Sequence, residues 1–210
     1  MKGKFIVFEG IDGSGKTTQI NQLSKWLIGT KLIPENKKLV ITREPGGTKL
    51  GKSIRSLLLD TSREKSPGSI TELLLYAADR SQHVNEIIRP TLDKGDWVIS
   101  DRFCGSTLAY QGYGRKLDIN LIKDLEAIAT QGIAPDITFL LDMPIEESIR
   151  RRMNRKDDRI EKEGREFLSN VSLGFQALSQ DINWKKISAI NSEEIILSEI
   201  KSEIKKLIKS

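Results

Sequence analysis

The chain has 210 residues, 38% of them hydrophobic and 30% charged, which suits one α/β domain with a sizeable core and is short for two. Lys and Arg number 34 against 29 Asp and Glu, a net charge of +5; that excess fits a protein that handles phosphates, and is milder than a nucleic-acid binder needs. A single cysteine, Cys104, excludes an internal disulfide, the apolar run ending at Glu9 is too short for a signal peptide, and no apolar stretch nears the ~20 residues of a membrane span, so the expectation is a soluble cytoplasmic protein.

Short apolar runs alternate with longer helical patterns, which predicts βαβ units and a parallel sheet. A first strand, Phe5 to Phe8, enters a Gly-rich turn and then a helix from about Lys16 to Leu27. A second strand covers Leu39 to Thr42. Helical stretches follow from about Leu50 to Leu59 and from about Ile70 to Leu92. A third strand, Trp97 to Ser100, ends at Asp101-Arg102. Another helix spans about Ile119 to Thr130. The fourth strand, Ile137 to Leu141, ends at Asp142. A basic helix and loop run from Glu146 to Glu163, and a helix from about Phe167 to Gln180. The last strand, Lys186 to Ile190, precedes a final amphipathic helix. Five strands with crossover helices make one doubly wound domain over residues 1–210, with ligands beyond the C-terminal strand ends.

Gly10-Ile11-Asp12-Gly13-Ser14-Gly15-Lys16-Thr17, with Thr18 following, fits G-x-x-x-x-G-K-[ST] at every fixed position, between a strand and a helix. Its glycines let successive backbone N–H groups curl round phosphate oxygens, and the helix N-terminus adds a favourable dipole. Lys16 would neutralise β/γ charge, and the Thr17 hydroxyl would ligate Mg²⁺. The motif names a nucleoside triphosphate without saying what is done with it. No N-K-x-D follows a later strand, against a GTPase. Asp101 is followed by Arg102 rather than a second acid, which suits a second anionic ligand better than a water-activating carboxylate. A kinase of small phosphorylated metabolites is the leading class.

Four further segments carry more. They are Thr42-Arg43-Glu44-Pro45-Gly46-Gly47-Thr48; Thr71 to Arg80, with Tyr76 and Arg80 four apart on one helix face; Ser100-Asp101-Arg102-Phe103 continuing through Ser106 to Gly112; and Arg155-Lys156-Asp157-Asp158-Arg159-Ile160-Glu161. In this order and spacing the chain resembles the thymidylate kinases, of the type whose catalytic arginines sit on a lid. The resemblance implies a P-loop NTPase-type α/β fold with a short lid over about 150–163, and transfer of the γ-phosphoryl group of ATP, with Mg²⁺, onto dTMP.

The residues also have physical readings. Arg102 leaves a central strand beside the phosphate loop, within reach of an acceptor phosphate; the resemblance puts it there and adds Arg55. Asp101 either holds a water of Mg²⁺, orients Arg102 or has a structural partner. Tyr76 offers a stacking surface for a base and Arg80 offers donors to a carbonyl edge; the resemblance assigns them to thymine and its O4. Thr107 and Gln111 suit the N3–H and carbonyl edge, and the resemblance implies that Tyr110 crowds a 2′-hydroxyl and that Asp12 accepts from the sugar 3′-hydroxyl. Phe103 departs from the Tyr or His usual there and is given no role.

Six of the ten residues from Arg150 to Arg159 are basic. The loop between Gly10 and Gly15 contains none, so the resemblance makes this stretch the source of lid charge, with Arg155 and Arg159 as the catalytic choices beside Lys16 and Arg102. The adenine is expected near Ala189 to Ser192, and a homodimer is expected from the family. His83 and Cys104 read as structural. Two rivals stay open: a kinase for another nucleotide, and a nucleic-acid-stimulated ATPase using the basic stretch.

Overall fold

The computed structural model describes residues 3–61, 66–153 and 158–209. Five strands form one parallel sheet: β1 Phe5–Glu9, β2 Leu39–Arg43, β3 Trp97–Asp101, β4 Ile137–Asp142 and β5 Trp184–Ser188, in the order β2-β3-β1-β4-β5. The helices are α1 Lys16–Gly29, α2 Lys49–Leu59, α3 Ser69–His83, α4 Arg89–Asp93, α5 Cys104–Thr107, α6 Ile119–Thr130, α7 Ile145–Arg152, α8 Arg165–Leu178 and α9 Glu193–Lys209. The doubly wound five-stranded fold expected from the sequence is the fold observed.

The three central strands read as near-continuous apolar runs because helices cover both faces of the sheet. The two-residue period sorts them: Ile6 and Phe8 pack with Ile99, Phe139, Leu23 and Ile200 on one face, while Phe5 and Val7 pack with Val98, Val84 and Ile88 on the other. The outer strands are half-exposed, with lysines at Lys185 and Lys186 of β5, as sheet edges tolerate.

Register decides where the loops emerge. Phe8 lies opposite both Asp101 and Phe139. The phosphate-binding turn after β1 and the Arg102 turn after β3 therefore leave the sheet side by side.

Three elements differ from expectation. The predicted helix from Ile70 to Leu92 forms as α3 and α4 joined by a π-helical stretch, Val84–Ile88. Pro90 has no N–H to give the carbonyl of Glu86, so the ladder widens before it. The segment carrying Thr107, Tyr110 and Gln111 is helical throughout, as α5 and the π-helical Leu108–Gly114. The last strand begins at Trp184 and ends at Ser188 rather than Ile190, because its partner β4 ends opposite, at Asp142.

Candidate active site

The turn after β1 is shaped by glycine. Gly10 has φ 136°, and a Cβ there would lie 2.6 Å from the Leu141 carbonyl oxygen. Gly15 takes φ 88° as it opens α1, a conformation that costs other residues roughly 1–2 kcal/mol. Lys16, at the start of α1, is buried, and its Nζ donates to the carbonyls of Gly10 at 3.0 Å and Ile11 at 3.2 Å. Burial pushes its ammonium below the ordinary lysine range, and the charge of Arg102 pushes the same way. The adjoining cleft is lined by Asp12, Gly13, Gly15, Lys16, Thr17 and Thr18, with Arg43, Arg55, Asp101, Arg102 and Arg151. Ile11 and Ser14 are buried beneath the loop.

Thr17 Oγ1 donates to Asp101 Oδ2 at 3.3 Å, across from β3. Asp101 Oδ1 is buried with no hydrogen-bond partner among the described residues. A hydroxyl and a carboxylate with a spare oxygen, beside a phosphate loop, fit a hard cation that keeps waters and takes its remaining ligands from phosphates. No cluster of three or more His, Cys, Asp or Glu arranged to hold a metal exists among the described residues.

Arg102 stands at φ 74°, a strained backbone for a non-glycine residue. Its N–H donates to the Phe8 carbonyl at 2.9 Å and its carbonyl accepts from Ser100 Oγ at 2.7 Å. The guanidinium donates to Gly10 O at 3.0 Å, Ser106 Oγ at 2.9 Å and Asp12 Oδ1 at 3.0 Å, and stacks over the Tyr110 ring at 5.3 Å. Burial works against its charge; Tyr110, Asp12 and Asp101 outweigh that and hold it well above the usual arginine value. Beneath the turn, Glu9 is fully buried and accepts from Phe103 N at 2.9 Å, Ser106 N at 3.0 Å and Ser106 Oγ at 2.6 Å. Burial raises its carboxyl, an effect partly offset by Arg102 and these donors.

A second cleft is lined by Asp12, Glu44, Arg55, Tyr76, Arg80, Arg102, Thr107, Tyr110, Gln111 and Asp158 among others. All the residues predicted for the acceptor thus meet in one place. Arg55, on α2, donates to Pro45 O at 3.0 Å. Thr48 caps that helix by accepting from Gly51 N at 2.9 Å. Arg80 is buried; Nε donates to Glu44 Oε2 at 2.7 Å, and Nη1 to Thr107 Oγ1 at 2.9 Å and to Glu126. Tyr110 is buried against Phe167 and Phe175.

Behind the cleft lie charges the sequence reading passed over. His83 is fully buried, with its ring nitrogens 2.8 Å from Glu44 Oε1 and 2.6 Å from Thr42 Oγ1. Asp79 accepts from Gly46 N at 3.0 Å; burial first and the charge of Glu44 second push its carboxyl up to about 6. Cys104 is a free thiol pushed up by burial. Phe103, given no role, packs edge-on to Phe5 and lies under Arg80. Glu72 stands four before Tyr76 and eight before Arg80, so helical spacing already put it on their face.

Arg155 lies outside the described residues. Arg159 does not line the phosphate cleft: it is buried, donating to Leu58 O at 2.7 Å and to Glu72. The buried Glu72 carboxylate would be strongly destabilising if left unpaired, and Arg159 is one of its donors. Arg151, not chosen from the sequence, does line that cleft, donating to Ala189 O at 3.0 Å and to Glu147 at 2.7 Å. No described helix is long and apolar enough to cross a membrane.

Comparison with known proteins adds the following. A family model described as Thymidylate kinase matches residues 8–200. A thymidylate kinase of Prochlorococcus marinus (strain NATL2A) is 92% identical over 210 residues, covering 100% of both chains. One from Parasynechococcus marenigrum is 54% identical over 204 residues, 97% of this chain and 98% of that one. A crystal structure of thymidylate kinase from Ehrlichia chaffeensis matches with a TM-score of 0.78 and 34% identity, over 98% of this chain and 100% of that one.

Proposed function

The chain belongs to the thymidylate kinase family, and on that premise we propose how its own residues move a phosphoryl group from ATP to dTMP. The activity itself is phosphorylation of dTMP to dTDP, a step toward dTTP. One observation carries the assignment of roles: the two clefts share Asp12, Glu44, Arg55 and Arg102. A donor phosphate chain on the loop and an acceptor in the second cleft would meet at those side chains.

Lys16 and the backbone of Gly10 to Thr18 hold the ATP phosphates. Thr17 and Asp101 would hold Mg²⁺, which supplies charge neutralisation for phosphate oxygens. Arg102 and Arg55 hold the dTMP phosphate. Tyr76 covers the thymine; Arg80, Thr107 and Gln111 meet its polar edge. Tyr110 and Asp12 face the sugar. A dTMP phosphate oxygen attacks the γ-phosphorus; the new P–O bond forms as the bond to the β,γ-bridging oxygen breaks, and ADP leaves. A phosphate monoester has a second pKa near ~6, so the nucleophile is mostly deprotonated at neutral pH and needs no general base. Catalysis is then alignment and charge neutralisation, with Arg151 and Arg155 as lid charges.

A single domain over 1–210, a cytoplasmic location and a homodimer belong to the same reading. Leu50 and Leu57 on α2 and Ile70 and Leu74 on α3 are exposed on two helices that pack together, an apolar face that supports self-association. Nucleic acid binding is not part of it, since Arg150 and Arg151 pair with Glu147 and Arg159 with Glu72. A coupled ADP-release assay over a panel of nucleoside monophosphates, with and without DNA or RNA, tests the whole. Release should require dTMP and Mg²⁺ and ignore the polymers; equal rates with another monophosphate would overturn the acceptor assignment.

A further inference from the structure

Glu72 sits on α3, on the face that also carries Tyr76 and Arg80. It is fully buried. Gln111 Nε2 donates to Glu72 Oε1 at 2.8 Å. Arg115 donates to both carboxylate oxygens, at 3.2 Å and 3.1 Å, and Arg159 to Oε2. Burial alone would raise this carboxyl; the hydrogen bonds from Arg115, Arg159 and Gln111 outweigh it and hold the pKa below the ordinary value. An ionised carboxylate only accepts. If the Gln111 amide turned over, its oxygen would face the Glu72 oxygen, two acceptors with no proton between them. The nitrogen is therefore committed to Glu72, and the oxygen is left for the cleft that Gln111 lines.

We propose that Glu72 is a specificity-determining positioning residue, which fixes the Gln111 amide so that the cleft presents an acceptor at this point and selects a base carrying an N–H there. In the same cleft Arg80, held by Glu44 and Glu126, can only donate. An acceptor beside a donor matches the N3–H and O4 of thymine. Cytosine, with an unprotonated N3 and an amino group at C4, reverses both. Glu72 touches no substrate in this arrangement and acts through Gln111. The inference rests on the proposed placement of the base against Gln111 and Arg80.

The test is the ratio of kcat/KM for dTMP to that for 5-methyl-dCMP, with thermal unfolding recorded alongside. In Glu72→Gln the neighbouring amide both donates and accepts, so Gln111 is free to turn. The ratio should fall about tenfold, the worth of one mispaired hydrogen bond, mostly through a lower KM for 5-methyl-dCMP. A purely structural role would lower stability and leave the ratio alone. Glu72→Asp keeps the charge facing both arginines but draws it back from Gln111, and should shift the ratio in the same direction if Glu72→Gln does not fold. Gln111→Met separates the two layers. A reduced ratio in Gln111→Met with an unchanged one in a folded Glu72 variant overturns the role of Glu72. An unchanged ratio in both overturns the placement of the base as well. Failure of both Glu72 variants to fold would mark Glu72 as structural support and overturn the proposal.

Discussion

The phosphate loop gathers its working groups within eight consecutive residues, Gly10 to Thr17, whereas the acceptor cleft draws Arg55, Tyr76, Arg80, Arg102, Thr107, Tyr110 and Gln111 from α2, α3, the turn after β3, α5 and the π-helical stretch that follows. On the proposed reading the loop works mainly through backbone amides, which any folded chain supplies once glycine permits the curve. The acceptor cleft works through side chains held by buried carboxylates: Glu44 and Glu126 on Arg80, Glu72 on Gln111, Glu9 beneath Arg102. Each carboxylate stays buried only because its donors offset the cost of leaving water. The difference teaches that damage to the loop should be local and chemical, and damage to the acceptor side should spread into recognition and stability.

Lys16→Ala would break that contrast most sharply if it failed. Among the described residues, Lys16 bonds within its own loop, to Gly10 and Ile11. If Lys16 holds the transferring phosphates as proposed, loss of that charged donor should cut kcat by about three orders of magnitude. Calorimetric dTMP affinity should stay near wild type. A matching loss of dTMP affinity would mean the two sides are not separable at this residue.

Arg159→Met should have the opposite character. It removes one donor from Glu72 and leaves a buried charge less well paired, which costs about 3 kcal/mol of unfolding free energy. Denaturant melts measure this directly. In single-turnover experiments the transfer step should slow less than in Arg151→Ala, whose side chain lines the phosphate cleft. A larger rate defect for Arg159→Met would return it to the role its place in the basic stretch first implied.

The same contrast explains what could be read without coordinates. The five strands and the phosphate loop were legible because apolar runs, glycine spacing and one lysine lie contiguous in the chain. The gathering of Arg55, Tyr76, Arg80, Thr107 and Gln111 was expected from ordered motifs, and they do line one cleft. Their supports were not read. Glu44, Glu126 and Glu9 reach their partners over 36, 46 and 94 or more residues, and a charged residue in a helix or at a strand end looks solvated until the fold buries it. Arg159 shows the same thing: the sequence presents it within a basic stretch, and the fold buries it against Glu72. Pro90 did announce the break after α3, though the helical pattern ran on through it.

Arg102 stands at the border of the two regions and should show a smaller, selective effect. On the proposed reading Arg102→Ala removes a charge-assisted contact to the acceptor phosphate, worth about 1.5–3 kcal/mol. dTMP should lose that affinity while thymidine, which has no phosphate, loses little. Comparable losses for both ligands would mean the contacts to Gly10, Ser106 and Asp12 make Arg102 a structural clasp.

The smallest effect sharpens the claim that carboxylates behind the acceptor cleft are held at a cost. Asp79 has one oxygen bonded to Gly46 N; the other, Oδ2, is buried without a partner among the described residues. Its carboxyl is pushed up to about 6, by burial first and then by Glu44. A group that holds its proton more tightly when folded contributes stability that is fully present below its unfolded pKa. That contribution is lost as the pH rises from about 4 through about 6. Asp79→Asn keeps an acceptor for Gly46 N and cannot ionise, so it should escape the loss. Relative to this variant, the wild-type protein should lose about 1 kcal/mol of unfolding free energy between about pH 5 and pH 7. The comparison cancels the titrating groups that do not feel the Asp79 charge, because both proteins share them. Urea melts at the two pH values give the difference. Parallel changes in both proteins would mean that Asp79 ionises as freely in the fold as in the open chain, and that Glu44 and burial do not press on it as the geometry implies.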